Sequence, residues 1–241
     1  MGSHSILILI TFFILGSSIP LSSFATSPPP RPKCEVKVSS TITVNGILDG
    51  KGCVYTWRGK GYPKYCRAPK EISEGLPPMF ILTPGATLKN MHIECALDGI
   101  HTSSNNVIDN IVNRDVEEDA ITIGKNISIR NSSFFFCNDK CLQMNNASGV
   151  LIENNSFFHS KSAVLANYGK NVTVRNNVFS DVIFSIRAVT RAGVKSNIQA
   201  SGNKMSGGTC GLINEGGSTV KDGGGNSFQN VKSRTCKTIR K

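Results

Sequence analysis

The sequence has few of the features that mark the commoner functional classes. Trp57 is its only tryptophan and its basic residues are scattered, so it lacks the stacking platform and basic stripe of nucleic-acid-binding proteins. Its N-terminal apolar run, Ile6 to Leu15, is too short to span a membrane. No CxxC pair or histidine cluster is present, which leaves only Cys137 and Cys141 for a metal-thiolate alternative. We expect neither a nucleic-acid partner nor a membrane association.

Acidic residues are also scarce, and the balance of charge points to an anionic partner. The chain has 27 Lys and Arg against 16 Asp and Glu, a formal net charge of +11. The apolar run at residues 6–15 precedes the small-residue stretch Ser23-Phe24-Ala25, which predicts a secretory signal peptide over residues 1–25, although no Lys or Arg precedes the run. A basic protein that is secreted and extracellular favours an acidic polysaccharide as its partner.

All eight cysteines follow the expected signal peptide. An even number in a secreted chain indicates disulfides, but the spacing does not choose among the many pairings. We expect a proline-rich lead-in at residues 26–33 and a single monomeric domain at 34–241. Within it, residues 49–78 form an irregular excursion closed by Cys53 and Cys66, and a cap from about residue 216 is held by Cys210 and Cys236.

A repeat of 20–23 residues separates successive asparagines at the centre of the chain. Short alternating apolar runs lie between them, which predicts an all-β solenoid whose equivalent positions stack at about 4.8 Å. The row-start asparagines are expected to form an inward amide ladder, and the phenylalanines an internal aromatic stack. The asparagines are Asn90, Asn110, Asn131, Asn154 and Asn176, and the phenylalanines are 134–136, 157, 158, 179 and 184.

Acidic residues recur at one position of this repeat. Asp98, Glu118 and Asp139 each lie eight residues after a row-start asparagine, and Asp119 and Lys140 come one residue later. Carboxylates stacked roughly 5 Å apart do not all stay ionised without a cation between them, and their oxygens suit Ca²⁺. A lysine beside that cation is expected to lose its proton more easily, as a general base requires. The column therefore predicts a Ca²⁺ site, with Asp119 and Asp139 included, next to a base.

The run FILTPGATLKNMHIECALDGIHT, followed by DVEEDAITI and NDKCLQMN, resembles the pectate lyases of polysaccharide lyase family three. An upstream match at residues 41–50 extends the resemblance to about residues 38–170. The family implies a single-stranded, right-handed parallel β-helix and a secreted, Ca²⁺-dependent lyase that cleaves polygalacturonate by β-elimination to unsaturated oligogalacturonides. By the same resemblance Asp98, Glu118 and Asp119 are metal-site residues, and Lys140 is a catalytic lysine.

One departure from the family concerns the row after Lys140. The family has K-x-x-R there, with both side chains contacting substrate, whereas this chain has Lys161-Ser162-Ala163-Val164. Lys161 is a candidate for the lysine, although counting from the asparagines places it next to Asn138. The arginine is missing, and Arg187, or Arg191, is the candidate to replace it. The expected catalytic residues are therefore Lys140, Lys161 and Arg187.

Two other functions compete with the lyase interpretation. A β-helix hydrolase of the polygalacturonase type needs paired carboxylates with a histidine and an R-I-K clamp, and no G-H-G or R-I-K run is present. A non-catalytic polyuronate-binding solenoid is favoured by the missing arginine. Product chemistry separates the three, because only a lyase generates an unsaturated, ultraviolet-absorbing product.

Overall fold

The computed structural model describes residues 27–60, 75 and 77–238, and the expected signal peptide and Cys66 lie outside these ranges. The described residues form parallel strands without a helix, wound into a β-solenoid of about nine turns. The predicted fold class is confirmed. None of the described segments is a helix long and apolar enough to cross a membrane.

The strands stack on three faces, and three long strands bend from one face to the next. The first face contains β3 (Ile47–Asp49), β10 (Ser128–Arg130), β15 (Lys170–Arg175), β18 (Asn197–Ser201) and β21 (Thr219–Asp222). The second contains β1 (Glu35–Val38), β4 (Val54–Trp57), β11 (Ser133–Phe135), β13 (Ser156–Phe158), β16 (Val178–Ser180), β19 (Lys204–Ser206) and β22 (Ser227–Gln229). β6 (Thr87–Ala96) and β8 (Val107–Val116) pass from the first face to the second.

The third face carries the functional groove. It contains β2 (Ile42–Val44), β5 (Pro78–Leu82), β7 (Asp98–His101), β9 (Asp119–Lys125), β14 (Ser162–Asn167), β17 (Phe184–Val189), β20 (Cys210–Glu215) and β23 (Ser233–Thr238). β12 (Lys140–Glu153) begins on this face and ends on the first. Residues 216–238, expected to belong to a cap, continue the ladder with β21 to β23.

A buried amide ladder fixes the register of the rows. Asn155, Asn177 and Asn203 are fully buried, and each side-chain oxygen accepts a hydrogen bond from the main-chain N–H of the residue at the same position in the previous row. The oxygens of Asn177 and Asn203 also accept from the side-chain Nδ2 of the preceding asparagine. Their Nδ2 groups also donate to main-chain carbonyls of neighbouring strands. Buried amides whose donors and acceptors are all paired are costly to move, so the ladder resists a slip of one row against the next.

The row-start asparagines are at the corners and do not form this ladder, which corrects the sequence-based prediction. All five adopt a left-handed backbone with φ between 52° and 56°. Asparagine is tolerated in that conformation better than most residues, so it suits a sharp corner. The inward ladder belongs to the position immediately after the corner, as in Asn154-Asn155 and Asn176-Asn177.

An aromatic stack fills the core beside the amides. Phe134, Phe157 and Phe179 lie on successive strands of the second face, with ring centroids 5.0 Å apart and planes 9° apart. The expected internal stack is confirmed for these three, and also for Phe135 and Phe158, whose buried rings stack with centroids 4.7 Å apart. Phe136 is instead 43% exposed, and Phe184 is half-buried beneath an arginine.

Disulfides join neighbouring rows and one turn. Cys34 pairs with Cys53, so the expected closure of the excursion by Cys53 and Cys66 is wrong. Cys210 pairs with Cys236 as expected, which ties the last strand to the row before it. Cys137 pairs with Cys141, so these two sulfurs form no metal-thiolate site.

We expect Asn177→Ala to lower the free energy of unfolding by about 3 kcal/mol or more, because it leaves buried partners in two rows unpaired. Urea denaturation followed by circular dichroism measures the change. Asn176→Gly is the matched control, since glycine keeps the left-handed corner, and we expect it to cost less than about 1 kcal/mol. Equal losses in the two variants would contradict a register-fixing role for the ladder.

Candidate active site

A groove of about 670 Å³ runs along the third face. Its residues come from outward positions of β7, β9, β12, β14 and β17, together with the segments beside them. Five rows at about 4.8 Å span roughly 19 Å from the first strand to the last, which is longer than one sugar ring. The charged residues that line it are Asp98, His101, Glu118, Asp119, Lys140, Arg187 and Arg191.

Main-chain pairing places Asp98, Asp119 and Lys140 at equivalent positions of three consecutive strands. Asp119 pairs directly with Lys140, and Ile100 pairs with Ile121, which brings the starts of β7 and β9 together. The predicted stacking of Asp119 with Lys140 is confirmed.

The predicted stacking of Asp98 with Glu118 is wrong by one residue. Ala96 pairs with Val116, but Ile100 pairs with Ile121, so the turn that contains Glu118 has one residue more than the turn that contains Leu97. Glu118 therefore lies in a neighbouring column with Asp139.

Gly99 allows β7 to approach β9 closely at this point. A Cβ at Gly99 would overlap the main-chain carbonyl oxygen of Ala120. The glycine that follows Asp98 is therefore required for the close contact that brings this carboxylate beside Asp119.

Asp98 is buried and only half of its carboxylate has a partner. Its Oδ2 contacts Nε2 of His101 at 2.6 Å. This hydrogen bond raises the pKa of His101 above its ordinary value, against the opposing effect of burial. Oδ1 of Asp98 has no hydrogen-bond partner in the described part of the chain.

Asp119 is a buried carboxylate held against a lysine. Its Oδ1 accepts a hydrogen bond from Nζ of Lys140 at 3.1 Å. Burial raises the pKa of Asp119 to about 6, and the nearby charge of Asp98 acts in the same direction, so the attraction of Lys140 does not offset the loss of hydration. The single positive charge of Lys140 therefore does not fully compensate the negative charge of the two buried carboxylates, Asp98 and Asp119.

Asp139 and Lys161 lie beside the groove and do not line it. Lys161 donates to Oδ1 of Asp139 at 3.2 Å, which places it next to Asp139 and not next to Asn138 as the counting predicted. Asp139 also pairs with Lys140. Asp139 therefore joins the two lysines.

The Cys137–Cys141 disulfide closes the short turn that carries Asp139 and Lys140. Both sulfurs are buried, and the hydroxyl of Ser160 accepts from the amide of Cys137 at 3.2 Å. The turn that presents the lysine is therefore held by a covalent bond and by the next row.

Arg187 faces the groove two rows beyond Lys140. It lies in one column with Gln143 and Leu165, so Leu165 occupies the outward position of the intervening row. Its Nε donates to Oε1 of buried Glu215 at 2.6 Å, and its guanidinium lies 5.6 Å from the Phe184 ring centroid. These contacts orient the side chain across the groove.

Several polar residues in the groove were missed by the sequence reasoning. They occupy outward positions of the strands, as Thr122 does between buried Ile121 and Ile123 and Gln143 between buried Leu142 and Met144, and this alternation is the signal that would have found them. They are Thr122, Gln143, Asn145 and Asn167.

The acidic end of the groove provides oxygen donors of the kind that Ca²⁺ prefers. Within the described ranges no three His, Cys, Asp or Glu side chains converge as a complete metal cage. Asp98 and Asp119 nevertheless share one wall, and a buried oxygen of Asp98 lacks a partner there. An incomplete set of hard donors fits a cation whose remaining ligands come from water and an anionic substrate.

Comparison with known proteins gives a family match, and a structural likeness that is weak. The family model described as pectate lyase matches residues 26–200, which is more than half of the chain. Among solved structures, the Streptococcus pneumoniae surface protein and adhesin PfbA has a TM-score of 0.40 and 13% identity, over 86% of this chain and 85% of that one. A likeness at that level carries no argument about function.

Asp119→Asn is expected to stabilise the metal-free protein above pH 6. The folded-state pKa is raised from 3.8 to about 6, so stability is full at acid pH and is lost as the pH rises through that interval. The amide removes this loss, a gain of about 2–3 kcal/mol at pH 8. Urea unfolding in a chelator from pH 4 to 8 measures it.

Asp181→Asn is the control for this substitution, because Asp181 is exposed and has the left-handed backbone that asparagine favours. We expect its profile to follow that of the unmodified chain. If Asp119→Asn were less stable at pH 8, the ion pair with Lys140 would outweigh the cost of burial.

Proposed function

This chain belongs to the pectate lyase family, and from that premise we propose that it cleaves de-esterified pectin, polygalacturonate, by Ca²⁺-dependent β-elimination. The observation that carries the proposal is the placement of two carboxylates and a lysine, Asp98, Asp119 and Lys140, on three consecutive strands that face one groove. The products are unsaturated oligogalacturonides.

Asp98, Asp119 and Glu118 are the residues proposed to hold the cation. All three line the groove, and the first two are buried. Ca²⁺, when bound, supplies positive charge that draws the uronate carboxylate to these acids and offsets the negative charge developed as the C5 proton leaves. Asp139 is left out of this set because it pairs with Lys140 and Lys161.

Lys140 is the proposed general base. It takes the proton from C5 of the uronate, and the electrons of that C–H bond form the C4=C5 double bond. The C4–O bond breaks with its electrons on the leaving oxygen, which acquires a proton from solvent. A lysine accepts a proton only when neutral, so activity is expected to rise toward alkaline pH. No activated water is needed.

Arg187 is proposed to replace the arginine that the family carries one row earlier. It lies in the same column of the groove as Leu165 of the preceding row, and its Nε donates to Glu215. Guanidinium groups bind carboxylates in a planar, two-point manner. Arg187 therefore binds and orients a uronate about 10 Å, two rows, beyond Lys140.

A secreted, extracellular location is proposed with the activity. The disulfides of the described chain form and persist in oxidising compartments. The net charge of +11 favours association with an acidic cell-wall polysaccharide.

Ultraviolet absorbance of unsaturated product from polygalacturonate tests the proposed reaction, with added Ca²⁺ and with a chelator. We expect Ca²⁺-dependent product from the unmodified chain and a loss of about 10²–10⁴-fold in Lys140→Ala. Lys161→Ala is expected to retain activity within about tenfold, since general-base catalysis by Lys140 remains. Lys170→Ala, on the first face, is the control for the loss of one positive charge.

The other outcomes separate the competing functions. Full activity in Lys140→Ala with loss in Lys161→Ala would assign the base to Lys161. New reducing ends without absorbance would indicate a hydrolase. Binding of polygalacturonate without either product would leave a non-catalytic binder.

A second prediction concerns the cation without reference to activity. Ca²⁺ that binds only the folded chain stabilises it by about 2.7 kcal/mol at a concentration 100 times the dissociation constant. We expect a rise in melting temperature with Ca²⁺ that Asp98→Asn abolishes and Asp181→Asn retains. An equal rise in both variants would place the cation away from Asp98.

A further inference from the structure

A hairpin projects beside the basic end of the groove. β14 and β15 are joined by residues 168–169 alone, whereas β17 and β18, at the same corner, are joined by residues 190–196. Arg191 and Val194 exchange two main-chain hydrogen bonds of 3.2 and 3.1 Å. Ala192 and Gly193 between them have positive φ, as a two-residue hairpin turn requires.

The base of the hairpin is fixed by buried hydroxyl groups. Ser196 Oγ contacts the carbonyl oxygens of Ala166 and Val189 at 3.0 and 2.9 Å. Ser218 Oγ lies 2.8 Å from both the Ser196 amide nitrogen and the Thr190 hydroxyl oxygen. Both serines are almost fully buried. These hydrogen bonds attach the hairpin firmly to the solenoid and fix its position beside the groove.

The hairpin presents an arginine without an acidic partner. Arg130, Arg175 and Arg187 each pair with a carboxylate from a neighbouring row. Arg191 is exposed and lines the groove, and no ion pair joins it to a carboxylate of the described residues. A guanidinium whose charge is uncompensated in a groove favours an anion there, and a carboxylate matches its geometry.

The position of Arg191 shows which carboxylate it reaches. It follows Arg187 on the same row, two rows beyond the row of Lys140, which is about 10 Å along the groove. A uronate that contacts the hairpin is therefore a different sugar from the one that would lose its proton at Lys140.

We propose that the hairpin of residues 190–195 forms a second carboxylate-binding subsite, in which Arg191 binds an unesterified uronate other than the reacting sugar. The subsite rests on the proposed function for the identity of its ligand. It makes the protein sensitive to the esterification of two sugars, because methylation removes the charge that Arg191 binds.

Two arginine substitutions and a matched control test this subsite. Arg191→Gln removes the charge, Arg191→Lys keeps it, and Lys195→Gln removes a charge from the same hairpin at a residue that does not line the groove. On polygalacturonate we expect Arg191→Gln to lower kcat/KM by roughly tenfold, chiefly through KM, and Arg191→Lys to lose less. On partly methylated pectin the loss should be smaller. Lys195→Gln should match the unmodified chain.

Calorimetric binding of trigalacturonate to the intact chain in a chelator separates the subsite from the proposed catalysis. We expect Arg191→Gln to weaken this binding by roughly tenfold, with Lys195→Gln unchanged. That result supports the subsite even if no variant produces unsaturated product, which would defeat the lyase proposal alone. Equal affinity in Arg191→Gln and Lys195→Gln, with equal kcat/KM on both substrates, would overturn the subsite.

Discussion

The main-chain register between successive rows is the constraint on which the groove depends. Parallel strands stack at about 4.8 Å, so a side chain that faces outward is positioned by whatever holds the inward side chains of its row. Here the buried amides of Asn155, Asn177 and Asn203 and the ring stack of Phe134, Phe157 and Phe179 hold them. A slip of one residue between rows would expose the core and, at the same time, separate Asp119 from Lys140. Stability and site geometry therefore have the same physical origin.

The groove built on this register has charges of opposite sign at its two ends. Asp98 and Asp119 are buried at one end, where the raised pKa of Asp119 reflects negative charge removed from water. Arg187 and Arg191 lie at the other end, and Lys140 stands between the two groups, in a turn closed by the Cys137–Cys141 disulfide. A polyanion long enough to reach the acidic end is repelled there by Asp98 and Asp119 unless positive charge is added. This is a physical reason for coupling cation binding to substrate binding.

Features that recur at the repeat interval can be predicted from the sequence, whereas strand register cannot be predicted where successive rows differ in length. The repeat interval was sufficient to predict the solenoid, the phenylalanine stack and the pairing of Asp119 with Lys140. It did not identify the extra residue in the turn at Glu118, which moves Asp98 into the column of Asp119. Adjacent asparagines such as Asn154-Asn155 fit the interval equally well, so spacing alone did not show which one turns inward. The place of Arg187 depends on the strand register, which has to be counted through Leu165 of the preceding row. The Cys34–Cys53 disulfide depends on which rows are neighbours.

The Cys210–Cys236 disulfide has a consequence for the order in which the molecule would lose its properties on heating. In a solenoid each row contacts only its neighbours, so loss of structure begins at an end and advances inward. Glu215 belongs to the row that this disulfide joins to the last strand, and it is the residue that orients Arg187. Fraying from the C-terminal end would release the arginine while Asp98, Asp119 and Lys140, several rows away, kept their places. The protein would first bind long polyanions more weakly and only later lose the arrangement of Asp98, Asp119 and Lys140. The Cys210–Cys236 disulfide therefore protects the affinity for long polyanions.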